Sequence, residues 1–190
     1  MSVIADYGLD LPARKFLLLA LSVEDKKGRK GMDILHLQKV IRYFQYLRQK
    51  TDVDFSNFNL GGVSYEIHES IETLMENGLI ARSDSALIEL TDEGDSAVTE
   101  LRSKFDPDDL KKLAFSKQQL NDLTSDEVMF FMYMLLPETQ VNSTELSRLL
   151  KKSEELARDL FKKGRISASM AADWLGIPEE EFQSSLAKSS

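Results

Sequence analysis

The run Val128 to Leu136, VMFFMYMLL, limits what this chain can become more than any other stretch. Crossing a bilayer takes about 20 apolar residues, so the run is too short to be a span. Thr124 followed by Glu127 has the pattern of a helix capping box, and Pro137 halts a helix just beyond the run. A helix that is apolar all round has to be covered on every side. The run is therefore expected to be core, with a homodimer interface as the other way of covering it.

The remainder of the chain also reads as helix. Residues Pro12 to Val23 hold the dense apolar group FLLLALSV, long enough for a short buried helix. A basic loop, EDKKGRKG, follows. In MDILHLQKVIRYFQYLRQK the positions Ile34, Leu35, Leu37, Val40, Ile41, Phe44 and Leu47 recur at steps of three and four, which predicts an amphipathic helix. The segment TDVDFSNFNLGG is irregular, with Phe55, Phe58 and Leu60 expected to tuck into the core. Ile67, Ile71, Leu74 and Met75 make one face of the next helix, which Asn77-Gly78 ends. Short extended pieces at Leu79 to Arg82 and Leu87 to Leu90, separated by SDSA, predict a hairpin. Thr91 then caps a further helix.

The order helix, helix, helix, hairpin, helix is that of a winged helix. LMENGLIARSDSALIELTDEGDSAV resembles the third helix, wing and following helix of winged-helix regulators, in which a helix ending in GLI leads into a wing closed by LT-x-x-G. The same half, FLLLAL…GMDILHLQKVIRYFQYL followed by GGVSYEIHESIETLMENGLI, is similar to the Panacea-type antitoxin domain, with Gly61-Gly62-Val63-Ser64 at a helix start where that family carries a proline.

The chain changes character at Asp106. The polar stretch 107–123, with Pro107 in a first-turn position, reads as a connecting helix and linker between a winged-helix-like domain at 1–106 and a helical domain at 124–190. Leu146, Leu149, Leu150, Leu156, Leu160 and Phe161 carry an amphipathic pattern to Gly164. Ser167 is placed to cap a helix through Leu175, Gly176 to end it, and Pro178 to open the next. Ala171 and Ala172 are small enough for a close helix crossing. This is helix-turn-helix grammar over 166–187. The longer phrase ELARDLFKKGRISASMAADWLGIPEEEFQSSL resembles short antitoxin-like helix-turn-helix proteins of bacteria and archaea. Ala157, Phe161, Gly164, Ile166-Ser167, Ala171-Ala172, Gly176 and Phe182 fill that family's pattern, while Pro178 stands where it more often has serine or threonine. The expected fold class is mainly α, with a small β-hairpin wing in the first domain and a helix-turn-helix ending the second.

Charge is unevenly spread. The whole chain carries a formal -8, yet residues 26–50 carry +7, which leaves -15 for the rest. DNA binding needs cations near phosphates. Lys26, Lys27, Arg29 and Lys30 in the loop, with Lys39 and Arg42 one helical turn apart on the next helix, are the candidate nucleic-acid or partner contacts of the first half. Lys162, Lys163 and Arg165 are those of the second. Against DNA stand Glu66, Glu69, Glu72 and Glu76 on the helix that would read the groove, and Glu179 to Glu181 at the start of the last helix. Glutamates in a first turn also suit the helix dipole, so these last three are equally a stable helix start.

No cysteine is present, which excludes disulfides, thiolate metal sites and cysteine nucleophiles and suits a reducing compartment. With no apolar leader in MSVIADYGLDLPARK, the chain is expected to be cytoplasmic and not a membrane protein. His36 and His68, the two histidines, lack further ligands at metal spacing. No glycine-rich phosphate loop or G-x-S-x-G motif occurs. A non-catalytic protein without cofactor or metal is expected. The resemblances imply a regulator of transcription-factor or antitoxin type that binds DNA, a protein partner, or both. The competing reading is an interaction adaptor or assembly subunit that keeps the winged-helix shape without DNA contact.

Overall fold

The computed structural model describes residues 3–56 and 62–187; Phe58, Leu60 and Gly61 lie outside the described residues. The chain is mainly helical, with one small antiparallel hairpin. It divides into two compact units, residues 3–56 with 62–122, and residues 123–187.

In the first unit, a short α1 (Val3–Asp6) precedes α2 (Pro12–Ser22), with Pro12 in the first turn. Phe16 through Leu21 are all buried. A helix apolar on every face requires neighbours all round, and α2 has them in α3 (Ile34–Arg48), α4 (Tyr65–Glu76), α5 (Asp92–Lys104), α6 (Pro107–Leu120) and the hairpin. The Asp33 side chain caps α3 by accepting from the His36 N–H at 2.9 Å, and Ser64 caps α4 through the Ile67 N–H. At the end of α4, Gly78 takes φ +72°, which lets the Leu79 N–H return to the Leu74 carbonyl at 2.9 Å. Asn77-Gly78 thus ends the helix as its residue types predict.

The hairpin consists of β1 (Ile80–Arg82) and β2 (Ile88–Leu90), paired Ile80 to Leu90, Ala81 to Glu89 and Arg82 to Ile88. Met32, just before α3, adds an isolated bridge to Ile88 through two backbone hydrogen bonds of 3.1 and 2.8 Å. Thr91 caps α5 through the Gly94 N–H and also donates its hydroxyl to the Gly78 carbonyl at 2.6 Å. Asp106 and Pro107 start α6. The stretch read from sequence as a connection between domains belongs to the first unit, because α6 packs along α3 and buries Leu113, Ser116, Lys117 and Leu120.

The second unit is built round α7 (Ser125–Leu135), whose capping box between Thr124 and Glu127 is complete in both directions. Val128 through Tyr133 are buried, so the longest apolar run is core. After Pro137 the amphipathic pattern is broken into a 3-10 turn (Pro137–Gln140), α8 (Leu146–Leu150) and α9 (Ser153–Lys162). Asn142 at φ 63° interrupts it. Ser167 caps α10 (Ala168–Leu175) through the Met170 N–H at 3.1 Å, and Gly176 at φ +66° turns the chain toward Pro178 and α11 (Glu179–Ala187). Ala171, Ala172 and Phe182 are buried. Trp174 meets Phe130 and Phe131 edge-on at 6.0 and 5.8 Å, and Phe161 meets Phe182 at 5.6 Å.

Candidate partner-binding surfaces

The basic loop is a rigid turn. Asp25 accepts the backbone N–H groups of Lys27 and Arg29 at 2.8 and 2.9 Å on one oxygen, and the Arg29 guanidinium and Asn121 amide on the other. The Gly28 N–H closes onto the Asp25 carbonyl, and Gly28 takes φ +74°, which glycine adopts without strain. Burial alone pushes the Asp25 carboxyl up, but the hydrogen bonds from Arg29, Lys27 and Asn121 outweigh it and hold the group below its ordinary value. Arg29 also reaches the Asn121 carbonyl, and Lys117 from α6 donates to the carbonyls of Ala20 at 2.9 Å and of Lys30. Lys26, Lys27, Arg29 and Lys30 are all exposed on this frame.

Lys117 itself is fully buried, and burial pushes its ammonium down to about 7 despite the Asp25 charge nearby. It is a structural cation that the residue pattern did not single out. Its carbonyl partners lie 97 and 87 residues away in sequence, so no local signal marks it.

The two cations expected on the face of α3 do not extend this surface. Lys39 is 1% exposed and donates to the Gly62 carbonyl at 3.1 Å; burial, aided by the Arg42 charge, pushes its pKa down to about 7. Arg42 is half-buried with its guanidinium 5.2 Å from the Phe55 ring. The reason is that the chain on either side of the segment 57–61 lies on this side of α3. Gln45 receives the N–H groups of Asp52 and Val53 there, and Gln38 that of Ser64. Polar residues on this helix face serve backbone groups of a neighbouring segment and not solvent.

In the second unit the three candidates separate as well. Lys162 is exposed. Lys163 is held by both oxygens of buried Glu127 at 2.6 and 2.7 Å, and Arg165 is 8% exposed. Its backbone closes onto Leu160 after Gly164, at φ +65°, reverses the chain. Glu179, Glu180 and Glu181 are exposed at the start of α11.

The opposite charge is concentrated on α4. Glu66, Glu69, Glu72 and Glu76 are all exposed, with His68 and Tyr65 beside them. His36 is buried with Nδ1 2.8 Å from Asp33, and among the described residues no three acidic or histidine side chains are grouped as a metal site. No helix among the described residues is long and apolar enough to cross a membrane.

Two further groups of side chains that no sequence pattern singles out lie at the surface of the first unit. Arg102 and Lys111 flank a cleft beside Lys30. Tyr46 and Phe115 expose aromatic rings around Tyr43, which stacks on Tyr46 at 6.1 Å. Neither group has a motif; each is assembled from separate elements. Compared with known proteins, the chain matches no family model and no curated protein.

Proposed function

We propose that the chain is a non-catalytic regulator of antitoxin type that works by occupying a basic surface of a partner protein. Its first unit is read as a winged helix, with α4 in the position of the recognition helix, β1 and β2 as the wing, and the Met32 bridge as the third strand. The helix pair α10 and α11 is read as a helix-turn-helix ending the second unit. The observation that carries the reading is the exposed carboxylate row Glu66, Glu69, Glu72 and Glu76 on α4. Facing a DNA groove, that row would repel phosphates; facing lysines and arginines of a protein, it steers association and sets specificity.

A second reading keeps DNA as the partner and is favoured by one observation, the four exposed cations on the rigid turn Lys26 to Lys30. The two are separated by photo-crosslinking inside cells of the source organism, with the crosslinker at His68 on α4 or at Lys27 on the turn. The protein-partner reading expects a discrete protein adduct at position 68 that disappears when the four α4 glutamates become glutamines. Nucleic-acid adducts at position 27 and none at 68 would replace it with the DNA reading.

A further inference from the structure

A cleft of about 570 Å³ opens in the first unit beside the basic turn. Small-ligand sites commonly span about 300–1,000 Å³, so the space suits a metabolite. Its walls come from four separate places in the chain: Ser22 and Val23 at the end of α2, Lys30 on the turn, Arg102 on α5, and Leu110, Lys111 and Ala114 on α6. Arg102 is pre-positioned, since one guanidinium nitrogen donates to the Ser22 hydroxyl at 3.0 Å and to its carbonyl at 3.3 Å. Its Nε and Nη1 N–H groups take no part in those two bonds and can each donate a charge-assisted hydrogen bond to a phosphate oxygen.

We propose that this cleft binds a small organic phosphate, its phosphate held by Arg102, Lys30 and Lys111 and its organic part resting on Val23, Leu110 and Ala114. Three cations against one carboxylate, Glu24, leave the lining at a net +2, which matches a phosphate dianion better than a monocarboxylate. Lys111 is paired with Asp108 at 2.9 Å, but both side chains are largely in water. Such a pair is weak and gives way to a more highly charged anion. The apolar strip, spaced one helical turn apart at Leu110 and Ala114 on α6, lies beside these charges and selects an organic phosphate over the free ion. This site is independent of the protein-partner reading and would serve a small molecule whichever macromolecule the chain occupies.

The test is titration of the full chain with phenyl phosphate and with adenosine 5′-monophosphate, followed by amide NMR shifts and calorimetry, with benzoate, adenosine and inorganic phosphate as comparison probes. Saturable one-to-one binding of at least one phosphate ester is expected, with shifts at Val23, Leu110 and Ala114 and weaker binding of all three comparison probes. Arg102→Gln should weaken it about tenfold or more, as loss of a charged hydrogen-bond donor does. Lys30→Glu should weaken it too, Ala114→Trp should block it sterically, and Lys151→Gln, an exposed charge in the second unit, should leave it unchanged. Melting curves confirm that each variant is folded; if Ala114→Trp is not, Lys30→Glu carries the comparison. Failure of both esters to saturate, binding that Arg102→Gln and Lys30→Glu leave intact, or shifts confined to other regions would overturn the proposal. Benzoate binding as tightly as the esters would overturn the phosphate assignment.

Discussion

Asn121 donates its side-chain amide to the Asp25 carboxylate at 2.9 Å across 96 residues, fastening the basic turn to the end of α6. Both side chains are nearly inaccessible, so the bond shields the turn's anchor from water. Asn121→Ala should destabilise the first unit by about 1–3 kcal/mol, the cost of leaving a buried partner unsatisfied. Amide exchange at Lys27 and Arg29 should accelerate, since their N–H groups depend on Asp25. The Asp25 carboxyl is held below its ordinary value, 3.8. Its contribution is therefore present above that pH and lost as pH falls through the lower folded value. Urea midpoints measured from pH 5 downward should fall in the wild type and fall less in Asp25→Asn.

Two buried lysines make stability rise with pH as well, in a higher range. Lys39 and Lys117 each titrate at about 7 in the folded chain, against 10.5 ordinarily. Between those values the unfolded chain binds protons that the folded chain has released. Stability should rise from pH 7 to pH 9 by at most about 1.4 kcal/mol per pH unit for each lysine. Burial holds Tyr43 and Tyr133 above their ordinary 10.0, so they stay neutral throughout this range. Lys117→Met should remove roughly half the slope. At pH 9 it should also destabilise by about 1–3 kcal/mol, because the carbonyls of Ala20 and Lys30 lose their donor. A flat profile in urea unfolding would contradict this assignment.

Gly94 sits where a Cβ would fall on the Leu79 carbonyl oxygen, a backbone atom that cannot step aside cheaply. Gly94→Ala should displace α5 from the hairpin and cost about 3 kcal/mol or more, in the range of severe packing defects. Gly164→Ala meets open space and pays only for φ +65°, about 1 kcal/mol. Thermal unfolding of the two variants should rank them in that order.

Phe182 is fully buried in the second unit against Phe161. Phe182→Ala should cost about 3–5 kcal/mol and free α11, visible as lost helical signal and rapid exchange of the amides in 179–187.

Much of the fold was legible because its boundaries are written in local chemistry. Thr124 with Glu127, Ser167, Thr91, Asn77-Gly78 and Gly176-Pro178 act within a few residues of where they stand, and each does in the structure what its residue type predicts. The surfaces were less legible, because solvent exposure depends on what crosses a helix face from elsewhere. Lys39 and Arg165 carry the same charge as Lys26 and Lys162, yet the fold buries the former pair and leaves the latter in water. The cleft at Lys30, Arg102 and Lys111 is likewise invisible along the chain, since its walls lie up to 96 residues apart, from Ser22 to Gln118.

If the acidic α4 face directs this chain to a protein and not to DNA, as proposed, mixed-sequence duplex DNA titrated with the full chain should find no site on it. Fluorescence anisotropy should be followed at about 50 mM salt, where phosphate contacts are strongest, up to about 10 μM protein. No saturable binding is expected, and salt-sensitive binding should appear when Glu66, Glu69, Glu72 and Glu76 are replaced by lysine. Saturable binding by the unmodified chain that weakens with salt and vanishes when Lys26, Lys27, Arg29 and Lys30 become serine would contradict it.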